Sequence, residues 1–407
     1  MDHAFASPQL IEAIVCLSIV AVVTAAFRRS GVPPALGLLA AGVCIGPAGF
    51  AISGRDGVVA WASELGLLFL LFIVGLELSV DRIRTMAKLV FRYGLLHFVF
   101  SSALIGGLAY AAGMGSAAAA VLGMALAMSS TAFVSEVLRE RGWMQLSRGR
   151  RVLGGLLFQD IAVGPIFAVL PLIGMAQGAH APVVPHAVGA VALVLLFLVA
   201  RLILGAAVGA AREGGRNDAF PAAVIAAALA MGGAAEALGM SPGVGALLAG
   251  VALAGVEWRH DVKKVVEPFK ATLLAFVFIG IGMAMPIDAG PERLAWMAAA
   301  GVGLMLAKTV TGALAGLLCG QKLRPALGVA MVLSQAGEFS FLVLALAAKG
   351  GGIAPGVVDF WIGAAVVSMV FTPLAMRLAE RVMGTPPERV NAPAKSDATV
   401  PAPAPAD

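Results

Sequence analysis

Asp160, Lys308 and Glu338 are ionisable side chains set inside long apolar stretches of the chain. An Asp or Lys at the centre of a membrane helix costs about 2.5–3.5 kcal/mol on insertion scales. Such groups face a cavity, find a partner and mark a path for ions or protons. Asp160 falls near the middle of its apolar run, directly after Gln159. A buried carboxylate can hold a proton or a cation but not both, and competition at one group couples two fluxes. The plainer reading of Asp160 is a structural carboxylate paired with a basic side chain. Lys308, also mid-run, is the counter-charge for Asp160 if their helices touch, closing on it in the empty site and opening when a cation binds. Otherwise it lines a water-filled cavity.

Hydroxyls and amides supplement these charges. Ser129, Ser130 and Thr131 are consecutive, and hard monovalent cations take oxygen ligands from hydroxyls, carbonyls and carboxylates. Small hydroxyl residues equally mediate helix packing in membranes. Ser334, Gln335, Gly337 and Glu338 gather polar and helix-breaking positions in one short segment, a more specific pattern. Glu338 admits ions there or serves as a fixed charge at a helix end. Glu64, Glu77, Arg201 and Glu236 stand nearer the ends of their runs and can snorkel to the interface.

The elements that must position these residues are membrane helices. Sixty per cent of the 407 residues are apolar and only 13% are charged, against roughly a quarter charged in a soluble domain. Apolar runs of the ~20 residues needed to span a bilayer recur along the chain and predict about thirteen spans. They are 9–27, 34–52, 58–79, 89–112, 116–138, 151–175, 185–210, 219–238, 242–256, 268–286, 294–318, 325–348 and 356–380.

Basic residues alternate between the connections. Odd-numbered loops hold Arg28 and Arg29; Arg82, Arg84, Lys88 and Arg92; Arg139, Arg141, Arg148, Arg150 and Arg151; Arg212 and Arg216; Arg259, Lys263, Lys264 and Lys270; and Lys322 and Arg324. Even-numbered loops offer Arg55, Arg293 and Lys349. Basic residues are retained on the cytoplasmic side, so the expected protein is multi-pass in a bacterial-type inner (plasma) membrane, with its amino terminus outside and its carboxyl terminus in the cytoplasm. No cleavable signal peptide is expected. Residues 1–383 form the membrane domain. Residues 384–407, rich in Pro and Ala, read as a disordered cytoplasmic tail.

An internal repeat is faintly visible. The segment from Asp160 to Pro165 in span six and that from Ser368 to Pro373 in span thirteen place a polar residue at the same distance from a proline. Inverted repeats with broken helices meeting near the midplane are common in secondary transporters. Other chemistry finds no support. Gly280 and Gly282 lack the third glycine and strand of a dinucleotide site, and the His residues lack metal-ligand spacing. There is no phosphate-binding loop, and the net charge of +5 needs no nucleic acid to explain it. No enzyme activity and no cofactor are expected. Cys16, Cys44 and Cys319 are odd in number and suit no disulfide framework.

Several segments together resemble a family. They are Phe72 to Leu78, Ala127 to Ala132, Leu157 to Val163, Glu267 to Lys270 and Leu333 to Phe339, in that order. They resemble the membrane domain of Kef-type potassium/proton antiporters, of the monovalent cation:proton antiporter-2 family, over about residues 10–380. The resemblance implies an all-α integral membrane fold of about thirteen helices, with NhaA-like inverted repeats and crossed discontinuous helices, and a homodimer. Spans one to three and eight to ten would form the scaffold. Spans four to six and eleven to thirteen would form a core moving as an elevator. Asp160 matches the family's cation-binding Asp, Gln159 its Kef-type neighbour and Lys308 its basic partner. The unwound helices fall at Ser129–Thr131 and Ser334–Glu338.

The sequence departs from this family in one respect and from its electrogenic relatives in another. Those sodium/proton relatives carry a second Asp where this chain has Gln159, which predicts one-for-one, electroneutral exchange. Kef proteins normally end in a cytoplasmic nucleotide-binding regulatory domain, which the membrane segments here are not followed by. Gating by glutathione is therefore not expected unless a separate regulatory subunit supplies it or the sequence is part of a longer chain. The leading expectation is exchange of a monovalent cation, K+ before Na+, for H+. The alternatives are a gated potassium channel or uniporter of the same fold, and a membrane sensor that transports nothing.

Overall fold

A computed structural model of the chain describes residues 8–30, 34–46, 49–52, 57–77, 89–172, 186–213, 219–238, 240–283, 285 and 290–384. Every regular element among them is helical. The expected loop residues Arg55, Arg82, Arg84, Lys88 and Arg216, and the tail after Gly384, lie outside the described residues.

The helices are α1 (Pro8–Ser30), α2 (Pro34–Ile45), α3 (Val58–Glu77), a π-helical turn (Leu89–Gly94) running into α4 (Leu95–Ala111), α5 (Ser116–Ala127), α6 (Thr131–Glu140), α7 (Ser147–Leu172) and α8 (His186–Glu213). They continue as α9 (Ala219–Ala237), α10 (Pro242–Ala254), α11 (Arg259–Met283), α12 (Gly290–Leu318), α13 (Leu323–Val332), α14 (Glu338–Lys349), α15 (Pro355–Val370) and α16 (Thr372–Met383). Among the described residues, six helices are each long and apolar enough to cross a bilayer, or eight if α11 and the α15–α16 pair, bent by 47° and 49°, each count as one span.

Two expected spans are broken. Where an apolar run covers 116–138, the structure has α5 and α6 separated at Met128–Ser130; where one covers 325–348, it has α13 and α14 separated at Leu333–Gly337. At 1.5 Å per residue, half-helices of 12 and 10 residues reach about 18 and 15 Å, about half of a ~30 Å hydrocarbon core. The unwound stretches lie one residue earlier than expected: Thr131 and Glu338 already open the following half-helices. The span expected at 268–286 also differs. Its helix begins at Arg259, because helicity continues through polar residues that no hydropathy reading assigns to a span. It bends near Pro268, which has no N–H to give and crowds the preceding turn.

Packing falls into recurrent pairings. Helix α3 lies on α10 and α11, α2 on α11, and α9 on α8 and α10. The other partners are α4 with α5 and α12, α12 with α13 and α15, α13 with α16, and α14 with α5 and α15. Small residues permit close approach, as usual for membrane helices. A side chain at Gly75 would strike the Leu247 carbonyl of α10, and one at Gly250 the Phe72 carbonyl of α3.

Polar ties join residues near the helix ends. Arg141, after α6, pairs with Glu380 of α16. Arg148 donates to the Gly384 carbonyl at 3.3 Å and stacks over Trp143 at 4.5 Å. Lys263 reaches Glu77 at 3.1 Å. Arg293 donates to the Gly356 carbonyl at 2.8 Å. The cysteines are free: Cys16 is buried, Cys44 exposed, and Cys319 partly exposed just past α12.

Candidate functional site

The two breaks cross. A Cβ on Gly337 would lie 2.6 Å from the Ser129 carbonyl carbon and 2.9 Å from the Ser130 nitrogen, so only glycine lets the unwound strands touch. The breaks free backbone groups that a dry interior must re-satisfy, and the site is built from the side chains that do so.

In the first break, the Ser129 N–H donates to Gln159 Oε1 at 2.8 Å, and Gln159 Nε2 returns a bond to the Ala127 carbonyl at 3.2 Å. One amide on α7 thus bridges the end of α5 and the break. Ser130 has extended backbone and caps α6, its hydroxyl accepting from the Phe133 N–H at 3.5 Å. Serine supplies such caps because its oxygen reaches orphan N–H groups of a first helical turn.

The second break is treated alike. The Ala336 N–H donates to the Ser368 hydroxyl of α15 at 3.0 Å, and the Gly337 N–H to the Ser340 hydroxyl at 3.2 Å. The Ser334 hydroxyl donates back to the Met331 carbonyl at 2.8 Å. The Ser129 hydroxyl donates across the crossing to the Leu333 carbonyl at 2.7 Å, stitching one break to the other.

Lys308 of α12 enters this crossing fully buried. Its ammonium donates to the Met128 carbonyl at 2.7 Å, the Gln335 carbonyl at 2.7 Å and the Ser129 hydroxyl at 3.0 Å. Three N–H donors thus meet three oxygens, two of them carbonyls from the breaks after α5 and α13. Those helix ends carry partial negative charge, which the ammonium offsets.

Asp160 neighbours Gln159 on α7 and is half-buried, as is Thr131. Its carboxylate accepts from the Thr131 hydroxyl at 2.9 Å, at the first residue of α6. Gln335 is fully buried, and among the described residues its side-chain amide has no hydrogen-bond partner. Its Oε1 is therefore an oxygen with capacity for a cation. Glu338 is half-buried at the first residue of α14, where a carboxylate suits the positive end of a helix.

The structure therefore gathers Ser129, Ser130, Gln159, Lys308, Ser334 and Gln335 at one crossing, with Thr131 and Asp160 joined beside it. The hydrogen bonds of the Lys308 ammonium run to the breaks, an arrangement not contained in the ion-pair expectation. Ser368 entered the sequence reading only through the internal repeat, yet it stands to the second break as Gln159 stands to the first. His97, Ser101 and Thr311 had no signal beyond being polar within apolar runs. Ser101 and Thr311 are joined hydroxyl to hydroxyl at 2.8 Å behind Lys308.

Comparison with solved structures finds the same fold. A sodium proton antiporter, MjNhaP1 from Methanocaldococcus jannaschii, at pH 8, superposes with a TM-score of 0.66 at 16% identity, covering 93% of this chain and all of that one. An electron-microscopy structure of the same antiporter gives 0.60 at 17% identity with the same coverage. At family level, residues 15–377 match the transmembrane sodium/hydrogen exchangers. The broken helices, the buried polar crossing and this match lead to one conclusion: the chain belongs to the sodium/hydrogen exchanger family of membrane cation/proton antiporters, which are transporters and not enzymes.

Proposed function

We propose that this chain exchanges a monovalent cation, K+ in preference to Na+, for a proton at Asp160, in the manner of Kef-type antiporters. The observation that carries the reading is the pairing of adjacent residues with adjacent tasks. Asp160 binds the first residue of half-helix α6, and Gln159 holds the break just before it. A cation taken up by Asp160 competes with the Thr131 hydroxyl and so acts on the joint itself. Asp160, Thr131 and Gln335 Oε1 supply oxygens, with Gln159, Ser129 and Ser130 shaping the break. Lys308 holds the crossing closed in the empty site and acts as the counter-charge when the carboxylate is ionised. With Gln159 in place of a second acid, exchange is one-for-one and electroneutral.

The moving core is spans four to six and eleven to thirteen, sliding as an elevator against a scaffold of spans one to three and eight to ten in a homodimer. The pairing of α4 and α5 with α12 and α14, and of α2 and α3 with α10 and α11, supports this division, with Phe278 of α11 meeting Phe341 of α14 where the two groups touch. All thirteen apolar segments cross the bacterial inner membrane, with the amino terminus outside. The ties of Arg141 to Glu380 and of Lys263 to Glu77 support the alternation, since each joins odd-numbered basic connections or the chain end that follows them.

Proteoliposomes with a trapped pH dye test the reading. Potassium, then sodium, is added to wild type and to Asp160→Asn. The expected result is a cation-dependent pH change in wild type, larger with potassium, that is lost in the variant. Tracer potassium crossing without any pH change would point to a channel. Absence of both fluxes would point to a non-transporting sensor.

A further inference from the structure

A second buried polar stripe runs up to Lys308 from one end of α12. Tyr93, His97 and Ser101 are spaced by four, so they share one helical face; all three are buried. The stripe begins in the π-helical turn before α4, and π turns inside helices recur at functional sites. Tyr93 and His97 stack with ring centroids 5.9 Å apart and planes 18° apart. The His97 ring fills the notch opposite Gly312, where a Cβ would lie 3.2 Å from Nε2, and lies beside the Lys308 carbonyl. Ser101 bonds Thr311, which bonds the Lys308 carbonyl at 3.2 Å. At the far end, the Arg151 guanidinium and the Cys319 thiol stand near Tyr93, with Arg92 near Cys319.

Among the described residues, Tyr93 Oη is buried without a hydrogen-bond partner, and the buried His97 ring nitrogens make no well-aligned hydrogen bond, with the Lys308 carbonyl as their near neighbour. Each such group costs about 1–3 kcal/mol, and Phe or Leu would fill the same space without that cost. Buried polar atoms lacking protein partners are commonly satisfied by ordered water. Imidazole is the side chain best suited to pass protons, taking one at one nitrogen and releasing another from the second; each passage leaves the ring in its other tautomer, and a ring flip restores the first.

We propose that Tyr93 and His97 form a proton path to the polar centre around Lys308, from the membrane face where α4 begins. His97 is the proton-carrying residue and Tyr93 the outer gatepost. The titratable and charged groups facing the stripe among the described residues are Lys308 and Cys319 on or next to α12, Arg151 on α7 and Arg92 in the π turn. The inference rests on the antiport reading above.

The test measures exchange in proteoliposomes between pH 6 and pH 9, for wild type, His97→Gln and Asp160→Asn, alongside cation-induced thermal stabilisation. His97→Gln is expected to keep the wild-type stabilisation by cation and the wild-type KM. Its maximal exchange rate falls about tenfold and its pH profile flattens, whereas Asp160→Asn loses both stabilisation and exchange. A His97→Gln variant with the wild-type rate and pH profile overturns the path and leaves antiport at Asp160 standing. Absence of exchange in wild type removes both. If the variant does not fold, 15N spectra of histidine-labelled wild type in lipid decide. A His97 ring signal that changes protonation with pH and on cation addition supports the path, and an invariant one overturns it.

Discussion

At the scale of single residues, the centre is organised by Lys308 as much as by Asp160. An ammonium that meets the Met128 and Gln335 carbonyls and the Ser129 hydroxyl holds two chain breaks at once. Lys308→Ala leaves two carbonyls without their partner, at about 1.5–3 kcal/mol for each charged hydrogen bond. Thermal unfolding of the purified protein should show a loss of about 3 kcal/mol or more. Lys308→Gln keeps donors but no charge, and should shift the pH profile of exchange; an unchanged profile would count against its electrostatic role. Thr131→Val removes the hydroxyl that Asp160 accepts. It should change cation KM several-fold while leaving folding nearly intact, read by dye-monitored transport across a cation series. Asp160 and Lys308 were legible in the sequence because charge inside an apolar run has few reasons to exist. The acceptors of Lys308 were not, since two of the three are backbone carbonyls that exist as acceptors only once helices break. His97 and Ser368 were obscured because a single His or Ser within a membrane helix is ordinary.

At the scale of elements, the molecule depends on two helices that stop and restart. Nothing in the apolar periodicity of 116–138 announces an end, and neither Pro nor Gly lies in Met128–Ser130. The break is stabilised from outside, by Gln159, Lys308 and Leu333, with Ser129 and Ser130 offering the hydroxyls that compete with helical bonding. The only local sign was the run of hydroxyls; the resemblance to a family supplied the rest, within one residue. The second break was better signalled, by Gly337 beside Ser334 and Gln335. Gly337→Ala places a methyl against the Ser129 backbone and should reduce exchange more than tenfold in membranes containing normal amounts of protein. Ser368→Ala removes the acceptor for the Ala336 N–H and should lower thermal stability by about 1–3 kcal/mol, measured by the same unfolding assay. The extension of α11 back to Arg259 was missed because hydropathy locates membrane, whereas helicity ignores that boundary.

At the scale of the whole molecule, loop charge and loop contact tell one story. Basic residues alternate along the sequence, and Arg141, Lys263 and Arg293 each tie to a residue at or near a helix end, Glu380, Glu77 and Gly356. Exchange with a single acid at the site predicts no transport current when a cation gradient is imposed across a reconstituted membrane; a sustained current would refute one-for-one coupling. The joint at Gln159 bears on this directly. Its amide gives one bond to the Ala127 carbonyl and takes one from the Ser129 N–H. An ionised carboxylate only accepts, so an Asp there could keep both bonds only while it carries a proton. In Gln159→Asp, helix integrity would itself become a titration, with the break loosening as the second acid ionises. In that variant, the number of charges moved per cycle would depend on whether the break survives losing a donor as well as on room for another ligand.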